Sequence, residues 1–533
     1  MKKILYSLTI AAVLFSGCAK EVEAPAAGEF KTVTIEAEIP QTKAGIDEQG
    51  KSSWQTGDKI GIHTQNGQIA ELTYQDNNTF KGQIAADDEL AEMAIYPSNI
   101  ATSYNADLEL FNVKMPTEYA YVEGNSFAPH LGTRNDKGVY MFKPYSSLFR
   151  FVLTNVPSDA RGFRFLCGAG KSVAGGGLAP KFYNGNKYIE TVTSGVTLAS
   201  KTIDISFTAE QIAESMTFNI PVPVSSGGYY FNVALTDMNG DVIPSTARVL
   251  NMASTIVSMP YGTVKTYNFE AMPKTYTSPV EWKIGAEGGK DSKSWRNDRD
   301  SFIALWPRTG AKLGSNNYLN RDTDFHIWPI AKGESARMQF ITSANHTNVT
   351  NISYEFQANS DYNYNSPVVK SFFTDDYFEF CIPVAQFAAN TEVTFSAPIY
   401  SRGAPIFWNI EYYDGGEWKC NKSEKESLDV INGTTEKAKA ICTWVLPHGA
   451  TDNVNFSGVF MTHTMKFTNE IKDGHIRIRM KAVGDENGIY ITNQSATYSN
   501  KAYLKTTPQD ANGNSLVAFC NLSDTYKAVT ISW

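Results

Sequence analysis

His475-Ile476-Arg477-Ile478-Arg479-Met480 alternates polar and apolar side chains at every step. Successive side chains on an extended chain point to opposite faces, so the stretch reads as a β-strand with Ile476, Ile478 and Met480 on a buried face. The same period of two recurs in Val33-Thr34-Ile35-Glu36-Ala37-Glu38-Ile39 and in Ile203-Asp204-Ile205-Ser206-Phe207. Between such runs stand Asn66-Gly67, Asn184-Gly185, Asn239-Gly240, Asp414-Gly415 and Asn432-Gly433, whose glycines supply the positive φ that tight hairpin turns require. One short piece, Ala209-Glu210-Gln211-Ile212-Ala213-Glu214, reads as helix, with Thr208 placed to cap its start. Many short strands with regular turns predict an all-β chain of sandwiches or barrels.

At 533 residues the chain exceeds the size at which one hydrophobic core stops growing, so two to four domains are expected. With 42% hydrophobic and 19% charged residues it is globular. A formal charge of -8 without a Lys or Arg cluster argues against a nucleic-acid partner.

The N-terminus carries Lys2 and Lys3, then the apolar run Ile4 to Phe15, then Ser16 and Gly17. That is the layout of an export signal, too short to span a hydrocarbon core as a helix. Leu14-Phe15-Ser16-Gly17-Cys18 resembles the bacterial lipobox, which implies cleavage before Cys18 and lipid on that sulfur. The following residues to Gly28 are small and polar and read as a tether. Lys20, Glu21 and Glu23 resemble the charged signal that sends Bacteroidetes lipoproteins to the outer face of the outer membrane. The mature protein is thus expected to be lipid-anchored in the outer membrane and to face the cell exterior.

Five cysteines remain besides Cys18: Cys167, Cys381, Cys420, Cys442 and Cys520. An odd number cannot all pair internally, and the spacings match no zinc pattern. Cys167 and Cys381 lie in apolar strand-like runs and read as small buried hydrophobes. Cys420 and Cys442 are the one pair considered for a disulfide.

Thr42-Lys43-Ala44, Ser53-Trp54-Gln55-Thr56-Gly57-Asp58-Lys59-Ile60-Gly61-Ile62 and Ala94-Ile95-Tyr96-Pro97 together resemble the N-terminal domain of the fimbrillin-like lipoproteins of Bacteroidetes. Phe142-Lys143-Pro144-Tyr145-Ser146-Ser147-Leu148-Phe149-Arg150-Phe151 resembles the strand that opens that family's second domain, and Gly228 to Val233 and Gly262 to Tyr267 resemble its closing strands. Physically, Trp54 alternates into a core and Gly57-Asp58 makes a tight turn. The resemblance covers residues 29 to 272 and implies two transthyretin-like β-sandwich domains. In that family, pilus subunits lose an N-terminal strand after an arginine and accept a neighbour's strand. Residues 29 to 60 contain no arginine, and Lys43 stands in its place, so a terminal, anchoring or non-polymerising role is expected instead.

Eight of the nine tryptophans lie beyond residue 280, after the linker-like Ala271 to Pro279, and that shift marks a domain boundary. Tyr377 to Val384, Thr391 to Phe395 and Ile406 to Trp418 resemble the jelly-roll modules of Bacteroidetes surface proteins, which commonly carry carbohydrate. The expected organisation is a signal peptide 1–17, a lipidated tether 18–28, fimbrillin-like domains at 29–140 and 141–272, a linker 273–281, and a jelly roll 282–533.

The run from Trp295 to Trp328 alternates poorly and is rich in aromatic and carboxylate side chains. Aromatic faces and hydroxyl-binding polar groups are what a sugar needs, so Trp295, Trp306, Asp322, Asp324 and Trp328 are candidate ligand-binding residues. The alternative is that Trp306 and Trp328 plug the ends of the sandwich. The pattern holds no Gly-x-Ser-x-Gly elbow, His-Glu-x-x-His helix or phosphate loop. Asp298, Asp300, Asp322 and Asp324 could pair for glycoside hydrolysis, but aspartates in a polar loop ordinarily cap turns, so a non-enzyme without cofactor or metal is expected. Two functions stay open: an adhesion or pilus-accessory protein of tip or anchor type, whose partners include pilus subunits, and a surface glycan-binding protein serving polysaccharide capture.

Overall fold

The computed structural model describes residues 29–39, 54–107, 109–123, 129–167, 173–178, 200–222, 231–250, 264–283, 376–402, 407–420, 457–482 and 528–533, with isolated short strands elsewhere. Among these residues the chain is β-structure with three single-turn 3-10 helices. The piece read as helix is one of those turns, Ala209–Gln211. The Gln211 side chain accepts the Thr208 N–H at 2.8 Å, as a capping box does, and the run is too short to extend further.

The first body is a closed barrel of Phe30–Glu38, Tyr140–Pro144, His130–Arg134, Leu90–Tyr96, Lys59–Thr64, Ile69–Tyr74 and Thr79–Ala85, in that order. Closure is by a parallel contact, Ala37 opposite Tyr140 and Glu38 opposite Met141. Trp54 fills the barrel, edge-on to Phe80, Tyr96 and Phe142. Its indole Nε1 donates to Ala37 O at 2.8 Å, which ties the first strand to the core. The turn read at Gly57-Asp58 is present, with Gly57 at φ +96° and Gln55 N–H donating to Asp58 Oδ2 at 2.7 Å.

Alternation in the barrel wall serves two cores. Ala94 points into the barrel, while its neighbour Ile95, with Leu131, points outward into the core of the next body. The stretch Phe142 to Phe151 likewise passes from one core to the other, since Phe142 lies in the barrel and Phe149 and Phe151 lie in the second core.

That second core lies between a three-stranded sheet (Ser215–Val222, Ser147–Thr154, Val264–Glu270) and a five-stranded sheet (Arg248–Leu250, Phe231–Thr236, Gly162–Cys167, Thr202–Ser206, Glu118–Ala120). A phenylalanine cluster joins the two faces, with ring centroids 4.6 Å apart for Phe149 and Phe231 and 4.8 Å apart for Phe151 and Phe163. Residues 98–123 precede the last barrel strands in the chain, yet Ile100, Phe111, Val113, Met115 and Tyr121 are built into this core.

The C-terminal body is a two-sheet sandwich of eight and seven strands. Phe380 and Phe395, one from each sheet, meet at 4.8 Å, with Trp282 buried against Phe380 and Trp408 buried against Phe378. Cys167 and Cys381 are fully buried thiols outside any disulfide. Cys420 is disulfide-bonded, and Cys442 lies outside the described residues.

Candidate functional site

The strand Ile471–Ala482 carries the quoted alternation, and Ile476, Ile478 and Met480 fill the sandwich core as their spacing requires. The polar face is buried too. His475 is 3% exposed and Arg477 1% exposed, because the middle body sits on that face.

The contact is built from two loops and a turn of the middle body. The first is Asp237-Met238-Asn239-Gly240-Asp241, the hairpin read from Asn239-Gly240. Asp237 Oδ1 accepts the N–H groups of Asn239 at 2.9 Å and Asp241 at 3.0 Å, which fixes the turn and leaves Oδ2 free to face the sandwich. There it accepts Arg477 Nη1 at 2.7 Å, while Arg477 Nε donates to Glu379 Oε1 at 2.7 Å. The Asn239 amide donates to Tyr413 Oη at 3.2 Å and to Gly416 O at 3.0 Å. The Arg477 guanidinium lies 4.8 Å from the Tyr413 ring and 5.2 Å from the Trp418 ring, and Arg479 lies 4.1 Å from Trp418, so Trp418 roofs both cations.

The second loop brings Ser158 and Asp159. Ser158 N–H donates to Asp473 O at 2.7 Å and its hydroxyl donates to Lys472 O at 2.5 Å. Asp159 places both oxygens 3.1 Å from His475 Nδ1. The turn Pro244–Thr246 sets Ser245 Oγ 2.8 Å from His475 Nε2. Gly474 allows the close approach, since a Cβ there would stand 3.3 Å from Ser158 Oγ and 3.6 Å from Asp159 Cγ.

Asp159, His475 and Ser245 therefore have the connectivity of a Ser-His-Asp triad. The chemistry does not follow from the connectivity. Ser245 is 2% exposed and its roof is the sandwich sheet itself, so an attacking hydroxyl has no route to a substrate carbonyl. The arrangement acts as a hydrogen-bond bridge between two bodies.

The electrostatics bear out a buried charged joint. Burial pushes Glu379 and Asp241 above the usual carboxylate range. Burial acts on Asp159 in the same sense, but the charge and hydrogen bond of His475 outweigh it and hold that carboxyl low. Among the described residues no group of three or more His, Cys, Asp or Glu side chains is arranged to hold a metal ion.

Of the sequence-predicted site residues, Cys18, Trp295, Trp306, Asp322 and Asp324 lie outside the described residues. Trp328 stands on a strand, Ile327–Ala331, opposite Phe340 of Arg337–Ile341. The joint residues Asp159, Asp237, Ser245, Glu379 and His475 carry no motif. The signal available was polar alternation at His475, Arg477 and Arg479, which by itself reads as a solvated face.

No protein-family model matches the sequence, and no curated protein does. Solved structures that the chain matches include a chain named for cell adhesion from Bacteroides uniformis, 14% identical, covering 45% of this chain and 94% of that one with a TM-score of 0.27. A second, from Bacteroides ovatus and named likewise, is 13% identical over 45% of this chain and 92% of that one, TM-score 0.27. The tip fimbrial protein Mfa3 from Porphyromonas gingivalis is 8% identical over 46% of this chain and 96% of that one, TM-score 0.21.

Proposed function

We propose that the protein is a lipid-anchored, non-catalytic adhesion or pilus-accessory protein of the outer membrane, in which the N-terminal bodies are a stiff spacer that carries the C-terminal sandwich outward. The observation that carries this reading is the joint. A spacer that presents a contact domain has to resist bending where domains meet, and exposed inter-domain contacts ordinarily allow motion. Here the meeting surface is buried and directional: Arg477 bridges Glu379 and Asp237 with all three side chains at most 2% exposed. The outward shift of Ile95 and Leu131 into the second core joins the barrel to the same stack. The lipobox-like Leu14 to Cys18 supplies the anchor at the opposite end from the sandwich.

The test is fractionation and adhesion of cells carrying Cys18→Ala. The wild-type protein is expected in the outer-membrane fraction and accessible to added protease on whole cells, with adhesion to host cells or pilus subunits lost in the variant. Equal membrane retention of the variant removes the anchor from the reading. Loss of anchoring with unchanged adhesion removes the adhesive role.

A further inference from the structure

We propose that Asn239 is a modification site: its amide is held unreactive while the middle body and the C-terminal sandwich are joined, and its hydrolytic deamidation loosens the joint irreversibly. The inference concerns the lifetime of the joint and goes beyond the adhesive reading.

The hairpin that carries Asn239 is one local turn used three times. In Thr64-Gln65-Asn66-Gly67-Gln68, Asn135-Asp136-Lys137-Gly138-Val139 and Asp237-Met238-Asn239-Gly240-Asp241, the glycine N–H donates to the first residue's carbonyl at 3.0, 2.9 and 3.0 Å. The first residue's side-chain oxygen accepts the fifth residue's N–H at 3.1, 3.0 and 3.0 Å. Gly67, Gly138 and Gly240 stand at φ +82°, +84° and +78°, the left-handed position that three-residue hairpin loops reserve for glycine. Two of the three turns put asparagine directly before that glycine: Asn66-Gly67 and Asn239-Gly240.

Asparagine before glycine is a thermolabile pair. The glycine nitrogen attacks the asparagine Cγ, a new N–C bond forms, and the bond from Cγ to the amide nitrogen breaks. Ammonia leaves with the proton that the glycine nitrogen gives up. Water then opens the cyclic imide to aspartate or isoaspartate. A Cβ built at Gly67 or Gly240 would meet no atom within 4 Å, so the two nitrogens are equally unhindered. Both asparagines are exposed, so water reaches either one.

The two sites differ in what holds the side chain. Among the described residues Asn66 bonds only through its backbone N–H, to Asp88 Oδ1 at 3.0 Å. The Asn239 amide instead donates across the joint to Tyr413 Oη at 3.2 Å and Gly416 O at 3.0 Å. Swinging Cγ onto the Gly240 nitrogen pulls the amide off both acceptors, so the closed joint opposes the attack at Asn239 and nothing comparable opposes it at Asn66.

The product cannot rebuild the contact. A carboxylate only accepts, so it faces the Gly416 carbonyl without a proton to share, and the Tyr413 hydroxyl is already bonded to Asp237. Isoaspartate also lengthens the backbone inside the turn, which displaces the Asp237 carboxylate that Arg477 needs at 2.7 Å. Each route weakens the joint, and neither reverses without repair chemistry.

Peptide mass spectrometry of the full chain aged in warm neutral buffer tests this, with Asn66 as the internal reference. In the wild type, conversion at Asn239 is expected to be at least about tenfold slower than at Asn66, because attack waits for local opening. Arg477→Ala, which loosens the joint, should bring the two rates within about twofold. Tyr413→Phe keeps the ring over Arg477 and removes one acceptor, so it should narrow the gap and decides the matter should the first variant fold poorly. Asn239→Asp imitates the product: hydrogen–deuterium exchange at Ser158, whose N–H donates to Asp473 O across the joint, should quicken about tenfold. The peptide around Phe165, inside the middle core, should not change. Equal wild-type rates at the two asparagines, an undiminished gap in either folded joint variant, or unchanged Ser158 exchange in Asn239→Asp overturns the proposal.

Discussion

His475 Nδ1 lies 3.1 Å from both carboxylate oxygens of Asp159, a residue 316 positions earlier in the chain. The contact shows that the polar side of the Ile471–Ala482 strand is an interior surface. An exposed ion pair contributes about 0–1 kcal/mol, whereas a buried group that loses its partner is left unsolvated, so substitutions along this face should act on stability far more strongly than surface changes do.

Arg477→Ala is the first such case. It leaves Glu379 and Asp237 buried without their cation and should lower unfolding free energy by about 3–5 kcal/mol. Asp237→Asn keeps an acceptor for the turn at Asn239 and Asp241 and removes only charge, so it should lose less. Urea unfolding of both variants checks the order; equal losses would mean that the turn, not the ion cluster, sets the energetics.

Asp414 should govern part of the acid response of the C-terminal sandwich. Its carboxylate accepts Lys419 Nζ at 2.7 Å, Thr468 Oγ1 at 2.6 Å and Asn469 N–H at 3.0 Å, fastening two turns together. Burial alone would raise its pKa, but the bonds from Lys419, Thr468 and Asn469 hold it well below the usual range. A depressed carboxylate contributes stability that is complete above its unfolded value of about 3.9 and is lost as pH falls through the folded value. Melting temperature should therefore drop on acidification below about pH 4, and Asp414→Asn should be less stable at pH 7 with a shallower acid slope. An unchanged slope would remove Asp414 from the account.

Trp54 should be a core residue of the barrel rather than a replaceable aromatic. Trp54→Ala removes the edge contacts to Phe80, Tyr96 and Phe142 and should cost about 3–5 kcal/mol. Trp54→Phe retains much of the volume but lacks the donor to Ala37 O, so it should lose about 1–3 kcal/mol and speed amide exchange in Phe30–Glu38. Unchanged exchange in that strand would show that the indole bond does not hold it.

The connector offers a test of the joint without substitution. Pro273, Lys274 and Thr275 are exposed, so trypsin should nick the chain after Lys274. Ser158, Asp159 and Asp237 bond to Asp473, His475 and Arg477 across the joint, so the two fragments should elute together at neutral pH. Fragments of Arg477→Ala should separate. Separation of the wild-type fragments would show that the covalent connector alone holds the bodies together.

Much of the architecture was legible because it follows from local chemistry. Period-two runs named the strands, and Asn66-Gly67, Asn239-Gly240 and Asp414-Gly415 named turns that the chain makes with Gly67, Gly240 and Gly415 at positive φ. Alternation places Trp54 in a core, and apolar neighbours place Cys167 and Cys381 in theirs. The helix at Ala209 was legible as a capped start but not as a single turn, since the cap fixes where a helix begins and tertiary packing fixes how long it lasts.

The half-buried strands, their turns and the residues that had to leave water are written in the one-dimensional pattern, because each of these depends on side chains a few positions apart. What lies against the other half of each strand is set by packing between distant segments. Arg477 and His475 look the same in a one-dimensional pattern whether they face solvent or another domain. Their burial was set by Asp237, Asp159 and Ser245, hundreds of residues away, and local alternation carries no record of which distant surface will close over a polar face.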